Sequence, residues 1–257
     1  MNNLKDKLKN KEVTIGSWIT LAHPAIAEIM AKAGVDWLVV DMEHSVITIR
    51  EAEELIRVIE LCGVDPLVRL SANDPTQIKR VMDAGAYGVI VPMVNTREDA
   101  IAVVNAVKYP PVGMRGVGLA RAQGYGTNFE KYKDWVAKES IVIVQVEHIK
   151  AVENLEDILS VEGVDAFIIG PYDLSGSLGK PGEFDHSEVM DALTEIRNIS
   201  SKVNITAGYH VVSPQNDLVL KRIEEGYSFI AFGVDFLFLG EMCRGELRNL
   251  REAIRKV

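Results

Sequence analysis

The chain has 257 residues, 47% of them hydrophobic and 25% charged, enough apolar side chain for a large core and too little charge for wholesale disorder. A net charge of −9 argues against a nucleic-acid or anionic-membrane partner, because both need basic surface. No apolar run is long enough to cross a bilayer, and residues 1–11 lack the apolar segment of a signal peptide. Cys62 and Cys243 stand far apart with no metal-ligand spacing, so reduced thiols in a cytoplasmic protein are expected.

Candidate strands follow in order. Val13-Thr14-Ile15-Gly16-Ser17-Trp18 is the first. Four later units share one design. They are Gly34-Val35-Asp36-Trp37-Leu38-Val39-Val40 leading to Asp41, Gly85-Ala86-Tyr87-Gly88-Val89-Ile90-Val91 leading to Pro92, Gly163-Val164-Asp165-Ala166-Phe167-Ile168-Ile169 leading to Gly170, and Gly226-Tyr227-Ser228-Phe229-Ile230-Ala231-Phe232 leading to Gly233. Each opens on a glycine suited to ending a helix in the left-handed conformation, then enters a strand buried on both faces. Pro66-Leu67-Val68-Arg69, residues 141–147 and Asn204-Ile205-Thr206-Ala207-Gly208 supply the third, fifth and seventh strands, and the four copies are the even-numbered ones. Repetition of one helix-to-strand joint implies a repeated βα unit. One closed (β/α)₈ barrel, a single domain over residues 1–257, is the most economical α/β architecture.

Helical periodicity fills the gaps. Ala52, Leu55, Ile56 and Ile59 recur on one face, as do Ile78, Val81 and Met82, and Ala151, Leu155, Ile158 and Leu159. Asp74-Pro75 and Ser213-Pro214 read as caps with proline at the first helical position. Residues 110–140 form a long insertion between strands four and five, glycine-rich from Arg115 to Gly126 and then amphipathic through Phe129, Tyr132, Trp135 and Val136. Gly116-x-Gly118 neither follows a strand nor opens a long helix, which argues against a nucleotide loop. The aromatics argue for an ordered segment, either covering an active site or making a subunit contact.

Barrel enzymes carry their chemistry at the C-terminal ends of the strands. Those ends hold Asp41, Glu43 and His44, then Arg69, Pro92, Gln145 and Glu147, Gly170 and Asp173, and Gly208 to His210. Glu147 and Asp173 bring hard carboxylate oxygens to neighbouring strand ends, a donor type suited to Mg²⁺ or Mn²⁺, although either alone could be a helix cap or a surface acid. In Asp41-Met42-Glu43-His44 a carboxylate beside the imidazole would fix its tautomer and make it a general base. Asp41 is the better candidate partner, Glu43 could hold a metal-bound water, and a capping histidine is the alternative. Arg69 ends an apolar strand, so its guanidinium either meets a substrate oxyanion or forms a structural ion pair. Gly170-Pro171 could present backbone N–H groups at a helix start, with Ser175 a plausible plain cap. His23, His148 and His186 show no partner in sequence, His210 follows strand seven, and Asp83 reads as an exposed helix residue.

Taken together, Asp41-x-Glu43-His44, Val68-Arg69, Asn73-Asp74-Pro75, Val91-Pro92-Met93-Val94, Tyr109-Pro110-Pro111-x-Gly113-x-Arg115-Gly116, Val144-Gln145-x-Glu147 and Gly170-Pro171-x-Asp173-Leu174-Ser175 resemble the class II pyruvate aldolases of the HpcH/HpaI group. The resemblance runs from about Gly16 to Asp235. It implies a (β/α)₈ barrel that uses a divalent cation (Mg²⁺, Mn²⁺ or Co²⁺) to cleave 4-hydroxy-2-oxo acids to pyruvate and an aldehyde. It further implies Glu147 and Asp173 as metal ligands, and His44 polarised by Asp41 as the acid–base. Arg69 would contact the keto oxygen, and Gln145, Gly170 and Pro171 would line the pyruvate site. A homo-hexamer is implied too, in which the last helix packs on a neighbour and Asp83 reaches the adjacent active site. The chain departs from the group at Thr20-Leu21-Ala22-His23-Pro24, at Tyr172 and at His210, and its residues 242–257 form a charged helix with Leu247, Leu250 and Ile254 as the apolar stripe.

No lysine occupies a strand end, so a Schiff-base route has no nucleophile there. Two rival readings share the fold. One is an acyl-CoA lyase of the citryl- or malyl-CoA type, which should need a basic site for the CoA phosphates that no strand end supplies. The other is a non-catalytic barrel that binds a 2-oxo acid, which leaves the acids and the histidine without a purpose.

Overall fold

Residues along each strand alternate between two separate apolar environments, and that alternation closes the sheet. The computed structural model describes residues 4–256. Its parallel strands are β1 (Thr14–Ile19), β2 (Trp37–Asp41), β3 (Asp65–Arg69), β4 (Gly88–Val91), β5 (Ile141–Val146), β6 (Ala166–Ile169), β7 (Thr206–Val211) and β8 (Phe229–Val234). They pair in chain order, and β8 returns to β1, giving the expected eight-stranded closed barrel. Trp18, Trp37, Val39, Leu67, Ile90, Ile143, Ile168 and Ala231 fill the interior. Leu38, Val40, Val68, Val89, Val144, Ile169 and Ile230 pack outward against helices. Burial on both faces is why the strands read as unbroken apolar runs.

The helices are α1 (Leu4–Lys9), α2 (Pro24–Ala31), α3 (Ile49–Leu61), α4 (Pro75–Ala84), α5 (Arg97–Val107), α6 (Phe129–Glu139), α7 (Ile149–Glu153), α8 (Leu155–Leu159), α9 (Pro171–Ser177), α10 (Ser187–Lys202), α11 (Asn216–Glu224) and α12 (Asp235–Ile254). Asp74 caps α4 as expected, its carboxylate accepting from Thr76 N–H at 2.8 Å with Pro75 in the first turn. The three histidines without sequence partners are also caps. Nδ1 of His23, His148 and His186 accepts the N–H of Ala25, Lys150 and Glu188 at the starts of α2, α7 and α10.

Four readings need correction. The periodic stretch through Ala151 and Leu159 is broken at Asn154, whose side-chain amide donates to Asn95 O at 2.9 Å and ties two short helices to the loop before α5. Ser213-Pro214 is not a cap, because α11 begins later, with Gln215 as its capping position. Ser175 lies inside α9, where its hydroxyl donates to Tyr172 O and accepts from Gly182 N–H. His210 belongs to β7 rather than to the loop after it, so its direction is set by the strand.

Residues 4–11 hold a feature that composition alone did not reveal. Leu4 and Leu8 of α1 join the interior cluster and close the N-terminal end of the barrel. Leu4 N–H donates to Asp65 (3.0 Å), Lys5 Nζ to Asp165 (3.0 Å) and Lys7 Nζ to Asp36 (2.6 Å). Each aspartate follows the same Gly-Val pair at a strand start, so the repeat that builds the barrel also anchors its plug. Leu8 is 1% exposed. Leu8→Ala is expected to cost about 2–5 kcal/mol, read as a lowered midpoint in guanidinium unfolding.

Candidate active site

The inward series of four strands ends in a polar side chain. Trp37 and Val39 lead to Asp41, Leu67 to Arg69, Ile141 and Ile143 to Gln145, and Thr206 and Gly208 to His210. Asp41 and Arg69 are register partners on β2 and β3. Arg69 Nε donates to Asp41 Oδ1 at 2.9 Å and Nη2 to Oδ2 at 2.6 Å, a two-point pair that fixes the guanidinium plane. The guanidinium lies 4.3 Å over the Trp18 ring. Burial alone would raise Asp41, but Arg69 and the N–H groups of Glu43 and His44 outweigh it and hold the carboxyl below its usual range. Asp41 is therefore the partner of Arg69, not of the His44 ring, because the arginine takes both carboxylate oxygens.

Three more acids surround this pair. Glu147, 2% exposed, accepts Met93 N–H at 2.7 Å and bonds the Gln145 side-chain amide. Burial raises its pKa, with Asp173 adding to the rise. Gly170 leaves room for this arrangement, since a Cβ there would sit 3.2 Å from Gln145 Nε2 and from Glu147 Oε2. Glu43 Oε2 lies 3.2 Å from Arg69 Nη1 yet off the hydrogen-bond line, and is buried with no hydrogen bond. Burial, opposed by Arg69 and assisted by Glu147, Asp41 and Asp173, pushes Glu43 up to about 8. The half-exposed His44 ring sits between the acids, with Nε2 3.9 Å from Asp173 and 4.0 Å from Glu43.

Asp41, Glu43, Glu147 and Asp173 thus meet one arginine. That surplus of negative charge suits an added cation. Glu147 and Asp173 could offer hard oxygens to one, and Gln145, bonded to Glu147, keeps an Oε1 without a hydrogen bond. Among the described residues no cluster of three or more His, Cys, Asp or Glu could hold a metal ion.

Pro171 starts α9 beside Gly170 at this mouth. Asp83 is elsewhere within the chain. It sits on α4, bound to Arg115 and, at 3.3 Å, to Gln123 of the insertion. The insertion bonds α3 and α4 through Arg121, which donates to Glu60 and to Ala84 O. Burial pushes Lys108 down to about 8, a shift that can mark a Schiff-base lysine, but Nζ donates to Val136 O and Ser140 O where β5 starts, at the opposite end of the barrel. Two contributors were not legible beforehand. Met93 adopts a left-handed φ of 53°, a strained geometry from which its N–H reaches Glu147. Trp18 underlies Arg69, and only the inward register of β1 could have flagged it.

A barrel whose mouth collects carboxylates about one arginine, with its buried lysine at the far end, has the makings of a lyase that works without a Schiff base. A sequence model described as HpcH/HpaI aldolase/citrate lyase matches residues 14–239. The chain is 39% identical to a 2-keto-3-deoxy-L-rhamnonate aldolase of Escherichia coli K12 over 243 residues, covering 93% of this chain and 90% of that one. It is 38% identical to a 2-dehydro-3,6-dideoxy-6-sulfogluconate aldolase of Pseudomonas putida, covering 90% of each. A solved HpcH/HpaI aldolase/citrate lyase family protein from Burkholderia cenocepacia superposes with a TM-score of 0.93 at 32% identity, covering 98% of this chain and 100% of that one. The chain belongs to the HpcH/HpaI aldolase/citrate lyase family, and it is an aldolase, a carbon–carbon lyase.

Glu43 makes stability depend on pH. Its folded pKa is raised, so the folded state keeps a proton that the unfolded chain gives up near the ordinary value of 4.5. The favourable contribution is complete below about 4.5 and is lost as pH rises through about 8. In EDTA, Glu43→Gln is therefore expected to stabilise the protein increasingly between pH 5 and 9, by a few kcal/mol at most, read as the gap in melting temperature from the native sequence.

Proposed function

We propose that the chain reversibly cleaves 4-hydroxy-2-oxo acids to pyruvate and an aldehyde. The observation that carries this reading is the surplus of buried carboxylate around Arg69, which favours a divalent cation beside a 2-oxo acid. Glu147 and Asp173 would hold that ion (Mg²⁺, Mn²⁺ or Co²⁺). Once bound, it would act as a Lewis acid on the keto and carboxylate oxygens. The Escherichia coli and Pseudomonas putida relatives are named for 2-oxo acids lacking the C3 hydroxyl, the kind that yields pyruvate when the C3–C4 bond breaks.

The chain's own residues divide the remaining work. Arg69, held flat by Asp41 and Trp18, offers Nη1 toward the mouth and stabilises the charge that develops on the keto oxygen. Gln145, Gly170 and Pro171 line the 2-oxo acid end. His44, 59% exposed at the rim, takes the proton from the C4 hydroxyl as the bond breaks and returns it in condensation. Glu43 is its nearest acid on the same loop, so Glu43 and Asp173, rather than Asp41, orient the ring. Tyr172 and Phe184, edge to face at 4.9 Å, frame the aldehyde side. An acyl-CoA lyase is disfavoured by the lack of basic residues among these, and a mere binder leaves His44 unused.

We further propose a cytoplasmic, single-domain protein that assembles as a homo-hexamer. Free Cys62 and Cys243 support the location. On α12 only Asp235 is buried, while Phe236, Leu239, Met242, Leu247, Leu250 and Ile254 are exposed, which supports packing of this helix on a neighbour. Asp83 would then act across a subunit boundary.

Pyruvate release from 4-hydroxy-2-oxo acids is expected to stop in EDTA and to return with Mg²⁺, Mn²⁺ or Co²⁺. Glu147→Gln should lower kcat/KM by about 10³-fold or more, and unchanged activity in both experiments would overturn the reading. Leu247→Asp combined with Leu250→Asp is expected to yield smaller species in light scattering after gel filtration.

A further inference from the structure

The insertion and the barrel wall enclose a cleft of about 360 Å³ that the chemistry of the mouth leaves unused. It lies between the C-terminal end of α3, the joint from α4 into β4, and α6. β4 begins there, so the cleft belongs to the end of the barrel opposite the mouth. Its volume falls within the range that holds a small organic ligand. Three rings form one wall. Trp135 stacks on Tyr132 with centroids 5.5 Å apart and planes at 17°, and meets Tyr87 at 5.3 Å. Trp135 and Tyr87 stay partly exposed, so part of each ring borders the cleft.

The polar part of the lining supplies mostly donors. Arg121 donates through Nη2 to Glu60 and through Nη1 to Ala84 O at 3.0 Å. Gly85 makes room for this, since a Cβ there would sit 2.2 Å from Nη1. Glu60 is the one carboxylate in the lining, and Arg121 already takes it. Among the described residues, Lys131 Nζ, the Asn128 side-chain N–H groups and Trp135 Nε1–H meet no acceptor. Arg121 and Lys131 against Glu60 leave the cleft positive, in a chain whose net charge is −9. Aromatic faces favour a flat partner, and open donors beside a surplus cation favour an anionic acceptor. We infer that this cleft is a second binding site, separate from the mouth, for a small aromatic carboxylate. The ring lies against Trp135 and Tyr87, and the carboxylate meets Lys131 and Arg121. Occupancy here requires no turnover at the mouth.

The test titrates the full chain, with Mg²⁺ present, against benzoate, read by calorimetry and by tryptophan fluorescence. Trp18 and Trp37 are buried in the barrel interior, so quenching reports Trp135. Benzoate is expected to bind with a Kd of about 1 mM or tighter, and saturating pyruvate should leave that Kd unchanged. Cyclohexanecarboxylate keeps the charge without the flat face, and benzamide keeps the ring without the charge. Each is expected to bind about tenfold more weakly or worse. Lys131→Met and Arg121→Gln should each weaken benzoate, and the two together by about tenfold or more. Lys131 is exposed on α6, so its replacement spares the fold and keeps the test decisive if the Arg121 variant misfolds. Absence of benzoate binding, displacement of benzoate by pyruvate, equal binding of the three probes, or a Kd that neither substitution changes overturns the site.

Discussion

The Arg69–Asp41 pair is the interaction on which the mouth of this barrel depends. It is buried, two-pointed and set in register across β2 and β3. Such a pair adds little net stability over an apolar filling, because both charges are desolvated. Its value here lies in orientation. With two nitrogens committed to Asp41 and its face on Trp18, the guanidinium has one free direction, toward Glu43 and the open mouth. A lysine could not reproduce this, since an ammonium neither forks nor stacks as a plane.

The same pair sorts the acids. Asp41, saturated by Arg69 and two backbone N–H groups, stays ionised despite burial. Glu43 meets only the misaligned edge of the guanidinium and three like charges, and its proton is held to about 8. Glu147 lies between these cases, with good hydrogen bonds from Met93 N–H and Gln145 but a buried position. One arginine cannot balance four carboxylates, so the site is electrostatically incomplete as a bare protein. A cation held beside these acids would lower the cost of ionising Glu147 and Glu43 together, and its binding would then be coupled to the protonation of the loop carrying His44.

The barrel was legible because doubly buried strands leave a plain signal, and glycine-led joints such as Gly34-Val35-Asp36 and Gly163-Val164-Asp165 repeat it. Which strand-end residues point inward was legible too, once the period of two is applied from Trp37 to Asp41 or from Leu67 to Arg69. Partners across strands were not. Asp41 looked like the companion of His44, three residues on, but register sets it opposite Arg69, 28 residues away, and a bidentate pair prevails over chain proximity. Backbone contributions such as Met93 N–H leave no trace in residue type. The plug formed by Leu4 and Leu8 was invisible because two apolar positions among lysines resemble a solvated leader until the aspartates beneath them are placed.

The two ends of the barrel solve opposite electrostatic problems with the same residue types. At the N-terminal end, Asp36 and Asp165 each find a lysine of α1, Asp65 takes the Leu4 N–H, and Lys108 closes the last turn of α6, so each charge meets a partner. At the C-terminal end, acids outnumber cations and polar atoms such as Trp18 Nε1, Gln145 Oε1 and Glu43 Oε2 are left without hydrogen bonds. A chain can sustain that imbalance only where the surrounding packing does not relax, and here the apolar interior runs unbroken from the plug to Trp18. Function is therefore concentrated where the fold brings acids together faster than it supplies partners. The rigidity that keeps those groups unpaired is assembled at the other end, from the same strands that deliver them.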